Sequence, residues 1–78
     1  MVTMTTRLYS TFVDNVRERM ADLELSQKQL AAKMDVTPSY VSQILSGHRR
    51  PGFESLDAFA EALDVRPEDL ISEMAKAV

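Results

Sequence analysis

Seventy-eight residues, 45% of them apolar, are enough for one globular domain near the lower limit of a self-sufficient core. The lack of cysteine excludes a disulfide staple and a thiolate metal centre, and no apolar run approaches the ~20 residues that a membrane span needs. The net charge of −3 is unevenly spread: residues 26–52 hold four cations against one acid (+3), and the remainder holds five against eleven (−6).

Residues 1–7 form a polar, threonine-rich lead without periodicity and are expected to be flexible, ahead of a single domain over residues 8–78. Lacking a basic and then an apolar block, this N-terminus does not read as a signal peptide, which predicts a soluble, cytoplasmic protein. From Ser10 or Thr11 to about Leu23, the residues Phe12, Val16, Met20 and Leu23 form one stripe of a first helix. Asp14, Glu18 and Asp22, with Arg17 and Arg19, read as its solvated exterior.

Ser26 is positioned to cap a second helix, and Gln29, three residues on, completes a capping box. Leu30, Ala31 and Met34 supply the inner face. Asp35 interrupts the pattern, Val36 turns inward, and Thr37 caps a third helix with Pro38 at its first position, where no N–H is missed. Val41, Ile44 and Leu45 face the core, and Gly47 ends the helix. The outer face carries Ser39, Tyr40, Ser42, Gln43 and Ser46, hydrogen-bonding but uncharged, followed at once by His48, Arg49 and Arg50. Small polar groups on a protruding helix with cations beside them suit a surface that reads bases and clamps phosphates.

After Pro51, a fourth helix over Gly52–Leu63 places Phe53, Leu56, Phe59, Ala60 and Leu63 on one side. Asp64-Val65-Arg66-Pro67 then echoes Asp35-Val36-Thr37-Pro38, predicting a second turn of the same kind. Pro67 opens a last helix over 67–78, with Glu68 and Asp69 near its positive end. Leu70 and Ile71 are expected to turn toward the core. Apolar residues at this end, Ile71, Met74 and Val78, make the helix a candidate dimerisation element.

The stretch LSQKQLAAKMDVTPSYVSQILSG, Leu25 to Gly47, and its continuation to about Leu70 resemble the Cro/CI (Xre-type) helix-turn-helix family of DNA-binding regulators. The resemblance implies an all-α, five-helix, repressor-like domain of bacterial or phage origin, with double-stranded DNA as partner and the third helix in the major groove. Three positions depart from the family. Asp35 replaces the usual turn glycine, Gly52 stands where a serine cap is common, and Pro38 replaces a frequent base-reading glutamine. Sequence recognition is then expected to shift toward Ser39, Tyr40, Ser42 and Gln43. The Gln43 amide can donate to N7 and accept from N6–H of adenine together. Gln27, Lys28, Thr37, Ser46, His48, Arg49 and Arg50 are the candidate phosphate contacts.

His48, the only histidine, has no second ligand in sight, and no nucleophile–base pair or phosphate loop suggests catalysis, so no metal, cofactor or enzyme activity is expected. The function these features predict is sequence-specific transcriptional regulation, most directly repression by a homodimer at a palindromic operator. The alternative is a protein-interaction module, or an antitoxin-type partner protein, in which DNA binding is secondary.

Overall fold

The computed structural model describes residues 2–72, with side chains from Arg7 onward. Five helices follow in order: α1 Val2–Leu23, α2 Gln27–Met34, α3 Pro38–Leu45, α4 Phe53–Leu63 and α5 Pro67–Ile71. Every regular element among the described residues is helical, and none is long and apolar enough to cross a membrane.

Both ends of the helical array differ from the expected boundaries. The first helix begins at Val2, so the threonine-rich lead continues α1 rather than preceding it. Extending a nucleated helix adds one hydrogen bond per residue fixed, so propagation does not require an apolar stripe. At the other end α5 stops at Ile71, and Ser72 is extended (φ −99°, ψ 126°), short of the helix expected to run to residue 78. Met74 and Val78 lie outside the described residues.

The inner faces meet in one core. Phe12, Val16 and Met20 of α1 pack with Leu30 and Ala31 of α2, Val41, Ile44 and Leu45 of α3, Phe59, Ala60 and Leu63 of α4, and Leu70 of α5. Phe12 and Phe59 meet edge to face at 5.3 Å, the geometry that sets a ring's positive rim against its neighbour's negative face. Three stripe positions fail to reach this core: Leu23 (39% exposed), Ile71 (37%) and, at the first turn of α4, Phe53 (89%). Each stands in the first or last turn of its helix, where the stripe has run past the edge of the neighbouring elements.

The turns explain how so short a chain folds back repeatedly. The residues ending α1, α2 and α4 are Glu24, Asp35 and Asp64, all left-handed, with φ of 56°, 60° and 59°. Each is followed by an apolar residue whose N–H reaches back to a helical carbonyl: Leu25 to Met20, Val36 to Ala31 and Val65 to Ala60, at 2.9–3.0 Å. Leu25, Val36 and Val65 in turn pack against the core. This is the Schellman arrangement, in which an inward apolar residue follows the left-handed one. A non-glycine residue held there gives up roughly 1 kcal/mol, which the two carbonyl contacts and the apolar contact offset. The echo between 35–38 and 64–67 is thus one turn used twice, and Glu24 makes a third instance without the Pro signal. The helix starts are as firmly set. Ser26 and Gln29 complete their reciprocal box at 3.1 and 2.9 Å, and Thr37 Oγ1 accepts from Tyr40 N–H at 3.2 Å. Gly52 offers α4 no side-chain cap.

α1 does more than supply apolar surface. Arg17 and Arg19, expected to be merely solvated, donate to helix ends: Arg17 Nη2 to Leu45 O at 3.4 Å and Arg19 Nε to Leu63 O at 2.9 Å. The Tyr9 hydroxyl donates to Ile44 O. Asn15, 6% exposed, directs its amide at the carbonyls of Asp69, Leu70 and Ser72, at 3.3, 2.9 and 3.2 Å. The last carbonyls of a helix have no internal partner, so these four side chains end α3, α4 and α5 with donors from α1. Asn15→Ala is expected to lower unfolding free energy by about 1–3 kcal/mol in urea titration, because it strands buried carbonyls. Amides of α5 should then exchange with solvent faster than those of α2, which the substitution does not touch.

Candidate nucleic-acid interface

α3 presents its outer face as the sequence pattern requires. Its inner residues are buried, whereas Ser39, Ser42, Gln43 and Ser46 are exposed. Gln43 Nε2 donates to Ser39 Oγ at 3.3 Å, an exposed i, i+4 contact that a base edge can replace at little cost. Thr37 keeps its hydroxyl proton available, since capping uses only the oxygen as acceptor. Gln27 is half-buried at the first position of α2, with Lys28 exposed beside it.

The loop after α3 is folded onto the helix end rather than leading away from it. His48 N–H and Arg49 N–H both donate to Gln43 O, at 2.9 and 3.1 Å, and Ser46 Oγ donates to the same carbonyl at 3.3 Å. Ser46 Oγ also lies 2.8 Å from His48 Nδ1. Gly47, at φ 92°, supplies the reversal; a side chain there would be strained. One carbonyl, that of the leading base-reading candidate, therefore fixes where the basic run starts.

Tyr40 departs from the expected outward arrangement. It is half-buried, its hydroxyl meets Ser55 Oγ on α4, and the Arg49 guanidinium lies over its ring at 5.3 Å. Arg50 lies over the Tyr9 ring at 5.5 Å. Both arginines remain exposed. Reading the sequence missed Tyr9, Asn15 and the capping roles of Arg17 and Arg19. Tyr9 sits three residues before Phe12 and so prolongs the apolar stripe, a signal that was present. Asn15, an uncharged polar residue amid a charged exterior, was the other clue.

Apolar surface gathers beside this region. Leu8, Phe12, Phe53, Leu56 and Ile71 line a groove of about 360 Å³ that Arg50 borders. Ile71, expected to turn inward, is one of its walls, and Phe53 stands at its edge almost fully exposed.

Known proteins share this design. A control protein of Bacillus amyloliquefaciens, C.BamHI, is 32% identical over 69 residues, which cover 87% of this chain and 85% of that protein. The crystal structure of the restriction-modification controller protein C.AhdI from Aeromonas hydrophila superposes with a TM-score of 0.74 at 31% identity, covering 80% of this chain and 94% of that one. A hypothetical transcription factor from Neisseria, 23% identical, shares the fold, with a TM-score of 0.83 over 91% of this chain and 85% of its own. The helix-turn-helix family profile matches residues 16–70, which takes in α2, the turn and α3 as well as the capping residues Arg17 and Arg19. On that match, and on the controller protein 32% identical to it, the chain belongs to the helix-turn-helix family of Cro/CI (Xre) type, the DNA-binding transcription regulators.

Proposed function

We propose that this protein is a repressor that binds a palindromic operator as a homodimer, inserting α3 of each protomer into successive major grooves. The observation that carries the reading is the exposed, uncharged face Ser39–Ser42–Gln43, at whose C-terminal end the His48 and Arg49 N–H groups are hydrogen-bonded to Gln43 O, so that exposed Arg49 and Arg50 follow at once. Gln43 reads an adenine edge, with Ser39 and Ser42 beside it. Arg49, Arg50, Lys28 and His48 contact phosphates, joined by Gln27 and Thr37 as neutral donors, while Ser46, whose hydroxyl proton goes to Gln43 O, holds His48 in place instead. With Pro38 offering no hydrogen bond, the rest of the selectivity comes from the shape of the site. The acidic remainder of the chain disfavours loose association with arbitrary DNA.

Dimerisation is assigned to the apolar surface of Phe53, Leu8 and Ile71, because an apolar knob beside an apolar groove on one face is self-complementary about a two-fold axis. The names of the B. amyloliquefaciens and A. hydrophila relatives support control of a restriction–modification system as the setting. A DNA target suits a protein of the cytoplasm, and the proposed activity calls on no cofactor and no catalytic step.

Selection of bound sequences from a random duplex pool should return a palindrome with half-sites ~34 Å apart. Gln43→Ala should cost about 1–3 kcal/mol per half-site on that sequence and leave binding to unrelated DNA nearly intact. If both fell together, Gln43 would not be the reader. For the wild type, log Kd against log salt should have a slope of magnitude about 4 to 5, and the double change Arg49→Ala, Arg50→Ala should flatten it by roughly two per bound protomer. A flat, weak wild-type response would point instead to a protein-interaction module. Phe53→Asp, at a position with 89% exposure, should leave the fold intact. It should also raise the dimer dissociation constant in sedimentation by roughly ten-fold or more.

A further inference from the structure

We infer that Tyr9 and Tyr40 are positioning residues that hold Arg50 and Arg49 on separate aromatic seats and so aim the two guanidinium groups at different phosphates. This rests on the reading of both arginines as phosphate contacts. Arg49 and Arg50 are consecutive in the loop between α3 and α4, and both are exposed. Yet they lie over different rings carried by different helices, Arg49 over Tyr40 of α3 at 5.3 Å and Arg50 over Tyr9 of α1 at 5.5 Å. Neither ring is free to swing. The Tyr40 hydroxyl is tied to Ser55 Oγ, and the Tyr9 hydroxyl to Ile44 O at the end of the recognition helix.

The chemistry of the pair is compatible with binding. A guanidinium is attracted to an aromatic face, and its N–H donors remain free for phosphate oxygens. An exposed arginine would otherwise lose much of its rotamer freedom on meeting DNA, so a seat occupied beforehand reduces that loss. Tyr9 has a second effect, because the hydroxyl that steadies its ring also fixes the C-terminus of α3. Base-reading helix and phosphate clamp thereby share one anchor on α1. With two seats, each arginine neutralises its own phosphate, and each removal should lower the salt slope by about one per protomer.

Two double-mutant cycles test this by titration against one duplex, Tyr9→Leu with Arg50→Ala and Tyr40→Leu with Arg49→Ala. Each tyrosine change alone should weaken binding roughly two- to five-fold. The Tyr40→Leu, Arg49→Ala variant should bind within about two-fold of Arg49→Ala, and the Tyr9→Leu, Arg50→Ala variant within about two-fold of Tyr9→Phe, Arg50→Ala, in which the α3 anchor is already gone, since a seat without an occupant has nothing to position. Tyr9→Phe, which keeps the ring and loses only the α3 anchor, should bind more tightly than Tyr9→Leu when Arg50 is present and equally when Arg50 is replaced by Ala. Losses that multiply within a cycle would overturn the inference. An Arg→Ala change without effect on affinity or salt slope would instead overturn the phosphate-clamp reading on which it rests. Independently of any variant, the δ-methylene protons of Arg49 and Arg50 in the DNA-free wild type should resonate upfield from ring current. Finding both at random-coil positions would also remove the seats.

Discussion

Helices end with carbonyls that nothing inside the helix can satisfy, and in this protein the donors come largely from one element. Tyr9 and Arg17 of α1 bond the end of α3, Arg19 that of α4 and Asn15 that of α5, so four side chains of one helix tie down the ends of three others. Two of the four are cations, which are also favoured at the negative end of a helix dipole. A domain this small has little core to resist relative sliding of its helices. Contacts of fixed length at the helix ends supply that resistance, and for α3 they come from an element separated from it in sequence by the whole of α2.

The consequence reaches the proposed DNA-binding face. α3 is eight residues long, too short to hold its shape in isolation, so its orientation is set by what grips its two ends. Thr37 and Pro38 fix the beginning locally. Tyr9 and Arg17 fix the far end from α1, and the Gln43 carbonyl gathers Ser46, His48 and Arg49 behind it. A base-reading amide is useful only if its helix is held to well under the width of a hydrogen bond. Here the same few backbone atoms that end the helix also launch the basic loop.

Charge is arranged to the same end. An acidic chain binding an acidic polymer is unfavourable at long range, and the separation into a +3 segment and a −6 remainder turns that into an orientation preference. The proposed recognition face carries no carboxylate on α3 itself, so desolvating it against a groove would leave no unpaired negative charge.

Local chemistry was legible in the sequence wherever a residue type answers to one backbone geometry. The Ser26–Gln29 box, the Thr37–Pro38 start, the left-handed Asp35 and its echo at Asp64 follow from hydrogen bonds spanning three to five residues. The buried faces of α2 and α3 follow from helical period, and with them the exposure of Ser39, Ser42 and Gln43. What the sequence could not decide was anything joining distant residues by a polar side chain. Arg17 and Arg19 look the same whether they solvate a surface or cap a helix 28 or 44 positions away. Tyr40 reads as outward until α4 brings Ser55 against it, and Phe53 reads as core until the packing leaves it outside. Periodicity records which face of a helix is apolar, whereas the placing of neighbouring helices, a property of the whole fold, determines how far along that face the cover extends.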